Sequence, residues 1–231
     1  MSRATGAARP EAPPQTVVIF DCESDGKPRP LFGENMRSEN DFRLVQCTCA
    51  CALIVPIAQL PSLDNAVELT CWRDVAATPG GNPFAELFEA FDAATVIVGY
   101  NAFDFDFPLL FKHYSKKSGN QRYFAHRIKT LDMFARLREV SGQWPKLDDL
   151  LRANGLSVKT ADGKQAIRMW QANMRQELQD YCLGDVRCTA HLALLPRMVF
   201  GHTTIPDHVY GLMPMVAAVA LAEEEGEYVV V

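Results

Sequence analysis

The sequence predicts an α/β domain: one mixed central sheet with helices packed on it. Three observations carry that expectation. Three apolar runs at Thr16–Glu23, Arg43–Pro56 and Val67–Trp72 read as strands and come first along the chain. The pattern then changes to helix, short strand and helix, which adds parallel strands to a leading antiparallel trio. A length of 231 residues, with 48% hydrophobic and 22% charged, suits a globular chain with one substantial core or two small ones.

Residues 1–15 are rich in Ala, Pro and Arg and have no apolar centre, so they read as a disordered tail and not as a signal peptide. Thr16–Glu23 is a strand by its Val-Val-Ile-Phe run. Ser24–Asp41, polar and rich in Gly, Pro and Asn, is a loop or exposed hairpin tip placed to overhang what precedes it. Asn82 and Pro83 supply an N-cap and a first helical position, and Phe84, Leu87, Phe88 and Phe91 then recur at helical spacing. Thr95–Gly99 is a short strand, apolar enough to be buried on both faces. Phe103–Lys116 fits a helix, and Thr130 caps another that runs through Leu137 and Arg138. Lys146–Arg152 is a short helix ended by Asn154-Gly155, and Gln176–Leu195 is a long one stopped by Pro196. Tyr228–Val231 reads as an added strand, a partner-binding peptide or a frayed end. No stretch has the composition of a linker between two domains. Residues 16–200 therefore form one domain, with 201–231 as its extension or tail.

No apolar run reaches the ~18–20 residues that span a bilayer, so no membrane partner is expected. Seven cysteines, an odd number, exclude a complete disulfide set and point to a reducing, intracellular compartment (cytoplasm, nucleoid or nucleus), with no secretion. Cys47, Cys49 and Cys51 alternate within one strand. With no second Cys/His cluster at zinc spacing, they read as small core residues on one face. The net charge of −5 does not suit a protein that coats DNA. Between Phe111 and Lys129, however, lie Lys112, Lys116, Lys117, Arg122, Arg127 and Lys129, interleaved with aromatics and free of acids. Such a stretch fits a single strand, through phosphate contacts and base stacking.

The chemistry is signalled by acids. Asp21 and Glu23 end the first strand two residues apart, hence on one face, and repel each other unless a cation sits between them. Further along come Gly99-Tyr100-Asn101-Ala102-Phe103-Asp104-Phe105-Asp106-Phe107-Pro108 and Tyr181-Cys182-Leu183-Gly184-Asp185. Tyr181 and Asp185 are one helical turn apart, on the same helix face. Four carboxylates and a tyrosine are the ligand set of a two-metal phosphodiester hydrolase.

In this order the motifs resemble the DEDD exonuclease superfamily, whose members share a ribonuclease H-like fold. The tyrosine four residues before the last aspartate marks the DEDDy branch; five residues before it stands Asp180, where the other branch has histidine. The chain is most similar to the proofreading exonuclease domain of family B DNA polymerases, over Thr16 to Arg197, as a stand-alone relative. The resemblance implies a 3′→5′ exonuclease acting on single-stranded or frayed ends, DNA favoured, with two divalent ions, Mg²⁺ or Mn²⁺. It implies a nucleic-acid 3′ end as partner, in the company of a replication or repair protein. Asp21 would bridge the ions, Glu23 and Asp185 would complete one shell, and Asp106 would hold the second ion through water. Tyr181 would orient the attacking water. Asp104 competes with Asp106, since residues two apart on a helix diverge by about 200°; Asp106 has the family spacing from Asn101. Ser24, where relatives carry threonine, joins Asn101, Phe105, Lys112, Lys116 and Lys117 as expected substrate contacts. Asp132 reads as a helix-terminus residue and not a ligand. The alternative is a non-catalytic nucleic-acid-binding or scaffold module on the same fold.

Overall fold

Strand β1 (Thr16–Ser24) is central, and its residues 17–20 are fully apolar because helices cover both sides of the sheet. It pairs antiparallel with β4 (Cys47–Pro56), which pairs antiparallel with β5 (Val67–Trp72). On its other side it pairs parallel with β6 (Val96–Gly99), and β6 pairs parallel with the edge strand β7 (Thr130–Asp132). The order β5-β4-β1-β6-β7, with three antiparallel strands followed by parallel ones, is the mixed sheet that the sequence predicts. The computed structural model describes residues 15–32, 36–76, 78–115, 118–157 and 163–225. Among them, no helix is long and apolar enough to cross a membrane.

The period of two along β1 sorts its side chains between two cores. Val18 and Phe20 pack with Phe84, α1 (Ala85–Ala93), α2 (Asp106–Phe111) and α3 (Gly119–Ile128), chiefly through Phe88, Phe91, Phe107 and Tyr123. Val17 and Ile19 face α4 (Met133–Ser141), α5 (Leu147–Ala153) and the long α7 (Arg175–Ala193), through Leu137, Leu150, Leu178, Cys182 and Val186. Asp21 and Glu23 continue the second series, so the same alternation aims both acids toward α7.

Several elements differ from the sequence expectation. The Ser24–Asp41 segment, expected as a loop or hairpin tip, holds a hairpin of two strands, β2 (Arg29–Phe32) with β3 (Met36–Asp41). Strand β4 begins at Cys47, because residues 42–45 make a turn closed by Val45 N–H to Phe42 O at 3.1 Å. Helix α1 begins at Ala85; Asn82 caps the preceding turn, its Oδ1 accepting from Phe84 N–H at 3.1 Å. Helix α2 starts at Asp106 and not Phe103, which leaves Pro108 in its first turn, where a missing N–H costs nothing. Residues 130–132 form a strand, so Asp132 and not Thr130 caps α4, accepting from Ala135 N–H at 3.2 Å. Helices α3 and α6 (Gly163–Gln171) were not anticipated. Nor was the hairpin β8 (Arg197–Phe200)–β9 (Thr203–Pro206), followed by α8 (Asp207–Tyr210) and α9 (Leu212–Glu225). Buried Tyr210 ties this extension to the body by donating to Leu195 O at 2.9 Å. The Tyr228–Val231 expectation lies outside the described residues.

The cysteine strand also departs from simple alternation. Glu23 pairs with Cys49 but Ser24 pairs with Cys47, so Thr48 is the extra residue of a β-bulge. Cys47 therefore packs on the α1 side, whereas Cys49 and Cys51 face α7. The three thiols do not share one face.

Candidate active site

The site exists because β1 outruns β6. Their pairing ends at Ile19 and Val98, after which the chain turns away. Gly99 permits the turn: a Cβ there would stand 2.7 Å from the Ala102 Cβ. Asn101 takes φ +62°, a left-handed conformation that asparagine tolerates better than most residues. The buried carboxylate of Asp132 then clamps the turn. Its Oδ1 accepts from Asn101 N–H at 2.9 Å and its Oδ2 from Phe103 N–H at 2.8 Å, besides capping α4. Burial pushes the Asp132 pKa up against these three donors.

The turn delivers Asp106 to the gap left by β6. There the amide of Cys22, which has no strand partner on that side, donates to Asp106 Oδ1 at 2.8 Å. Asp106 is 2% exposed, and burial pushes its carboxyl up to about 8, with Asp132 adding to the rise and the Cys22 amide opposing it. Asp104, the competing position, is half exposed and lies 3.9 Å from the Arg138 guanidinium.

Asp21 and Glu23 each bring a carboxylate oxygen within 4.8 Å of the other and of the Cys182 sulfur. From α7, Tyr181 and Asp185 reach the same space, a cavity of about 440 Å³. Asp21, Glu23, Asp106, Tyr181 and Asp185 all line it, as do Ser24, Asn101 and Phe105. The Phe105 and Phe42 rings meet edge to face with their centroids 5.8 Å apart, and the Ser24 hydroxyl donates to Gly26 O at 2.7 Å. Tyr100 and Ile167 also line the cavity, with Lys27 as its one basic side chain among the described residues. Ile167 and Lys27 were not singled out in the sequence, since neither belongs to a motif; the loop after the acidic pair was the available hint for Lys27. The donor set fits hard divalent cations: four carboxylates share one cavity, and oxygen is what such ions prefer.

The basic stretch behaves otherwise. Lys112 does not line the cavity; its ammonium donates to Phe42 O at 2.6 Å and Val45 O at 2.7 Å, holding the turn before β4. Lys129 donates to Asp92 O and Ala94 O at the end of α1, at 3.0 and 2.8 Å. Arg122 pairs with Asp92, and Arg127 lies over the Phe103 ring at 4.6 Å. Tyr114 and Tyr123 are core residues. Each of these cations has a contact within the protein. Lys116 and Lys117 lie outside the described residues.

No family model and no curated protein matches the chain. Among solved structures it is similar to the family B DNA polymerase of the hyperthermophilic archaeon Pyrobaculum calidifontis, at 21% identity and TM-score 0.49, over 78% of this chain and 24% of that one. It is also similar to the zinc-bound E. coli ExoI–ssDNA complex, at 16% identity and TM-score 0.42, over 79% of this chain and 40% of that one. The chain thus spans about a quarter of the polymerase and two fifths of ExoI.

Proposed function

We propose that the chain is a metal-dependent 3′→5′ exonuclease that releases nucleoside 5′-monophosphates from single-stranded or frayed ends, DNA favoured. One observation carries the reading: Asp21, Glu23, Asp106, Asp185 and Tyr181, from three segments far apart in sequence, line one cavity. Acids gathered in this way repel one another and serve no evident packing purpose.

Two divalent ions, Mg²⁺ or Mn²⁺, held by Asp21, Glu23, Asp106 and Asp185 would supply a water of lowered pKa and neutralise charge on the leaving oxygen. By the resemblance, Asp21 is the residue that would be shared by both ions. Asp106 has one oxygen committed to the Cys22 amide and offers the other. Tyr181 would orient the attacking water through its hydroxyl. Phe105, backed by Phe42, offers an aromatic edge to a terminal base, and Lys27 a cation to a phosphate.

The test uses 5′-labelled single-stranded DNA and the matching RNA with Mg²⁺, Mn²⁺ or EDTA, for wild type and Asp21→Ala. The expected result is a metal-dependent ladder that shortens from the 3′ end and is absent in the variant. Intact substrate under every metal, with binding retained in a shift assay, would overturn the reading in favour of a nucleic-acid-binding module.

A further inference from the structure

Beneath the carboxylates lies a second donor cluster of different chemistry. The β1–β4 register sets Asp21 opposite Cys51 and Glu23 opposite Cys49, on the face turned to α7. Cys182, the residue after Tyr181 on α7, covers both cysteines, and the three sulfurs lie within 4.8 Å of one another, all fully buried. The Cys182 sulfur also stands 3.7 Å from Asp21 Oδ2. The strand pattern alone hid this cluster, because its third member comes from the far end of the chain.

We propose that Cys49, Cys51 and Cys182 form a site for a thiophilic d¹⁰ cation of the zinc(II) and copper(I) class, separate from the carboxylate site and independent of the nuclease reading. Sulfurs bound tetrahedrally at ~2.3 Å stand about 3.8 Å apart, so the cluster closes on an ion by moving about 1 Å at most. The three sulfurs are the protein's ligands; the Cys182 sulfur, 3.7 Å from Asp21 Oδ2, sets the cluster beside the cavity, from which a water would fill the fourth position. Binding displaces the thiol protons to solvent as the thiolates form. The entry path is the cavity, past the part-exposed Asp21. Hard ions have no use for three sulfurs, so Mg²⁺ does not compete.

Cd²⁺ serves as the probe. It is titrated into the reduced full chain with Mg²⁺ in large excess to hold the carboxylates. We expect one equivalent to raise a thiolate-to-cadmium charge-transfer band in the ultraviolet. The band should be lost in Cys51→Ala and in Cys182→Ala. It should be unchanged in Cys47→Ala, which alters the opposite face, and in Cys188→Ala, which lies outside the cluster. On the unsubstituted chain, a ¹¹³Cd resonance shifted far downfield should report three sulfur ligands, which keeps the test decisive if a variant fails to fold. No band, an oxygen-range ¹¹³Cd shift, or an undiminished band in folded Cys51→Ala and Cys182→Ala would overturn the proposal. A chain that binds Cd²⁺ through sulfur but cleaves nothing would support this site and sink the nuclease reading; the opposite pair of results would do the reverse.

Discussion

Asp21, Asp106 and Asp132 are three carboxylates within one region, and their surroundings give them different work. Asp21 is part exposed and lines the cavity, Asp106 is buried against a backbone amide, and Asp132 spends both oxygens on the chain. Replacing Asp21 by alanine should lower cleavage by at least about 10²-fold while leaving the circular dichroism spectrum intact. Tyr181→Phe keeps the ring but loses the hydroxyl, so single-turnover rates should fall about 10–100-fold without reaching zero. His126 gives a pH prediction away from the site. Its Nε2–H donates to Asp92 Oδ1 at 2.7 Å and its Nδ1 accepts from the Tyr114 hydroxyl at 2.8 Å, so the neutral ring is fully bonded. Burial lowers its pKa, a fall that Asp92 only partly offsets. The unfolded chain therefore binds a proton first on acidification. Stability is fully present above the ordinary histidine range, near 6.5, and is lost as pH falls toward the folded value. Half-buried His113 shifts in the same direction, lowered by desolvation. Melting temperature should drop below about pH 6.5, and His126→Gln, which keeps a donor and an acceptor but cannot ionise, should flatten that drop.

Among elements, the turn from β6 to α2 governs the site. It is irregular, yet Asp132 satisfies Asn101 N–H and Phe103 N–H within it and Ala135 N–H at the start of α4. Asp132→Ala would strand these donors. It should cost about 2–4 kcal/mol in urea denaturation and lower cleavage as well, because Asp106 rides on the turn. Asp132→Asn keeps an acceptor and should lose less of both. The α2 segment also shows why the expected helix began too early. The Phe-x-Phe-x-Phe run has apolar content for a helix from Phe103, but the clamp and the left-handed Asn101 delay its start to Asp106. That delay also separates Asp104, near Arg138, from Asp106, inside the cavity. At β4, one inserted residue, Thr48, moved Cys47 to the opposite core from Cys49 and Cys51.

At the scale of the whole molecule, charge is arranged against non-specific binding. The chain carries −5 overall, and much of its basic stretch stabilises α1, α3 and the turn before β4. Single-stranded DNA binding by Asp21→Ala should therefore depend weakly on salt. At about −0.7 per phosphate contact, the log–log slope in fluorescence anisotropy should be shallower than about −3. A steep slope would mean that cations beyond Lys27 meet the substrate.

Local pattern was enough for what depends on local physics. The β-branched run of β1 and its period of two placed Asp21 and Glu23 on one face, and the turn of a helix paired Tyr181 with Asp185, whatever else the chain did. The leading strands and the long α7 were legible for the same reason. Tertiary structure alone decided the rest, because it turned on which distant segment met which. The Cys22 amide became a partner for Asp106 only once β6 had ended. The ammonium of Lys112 found carbonyls from a turn formed by an earlier part of the chain. Cys182 met Cys49 and Cys51 only because α7 crosses the sheet beside β1, and no spacing within one element encodes such a meeting.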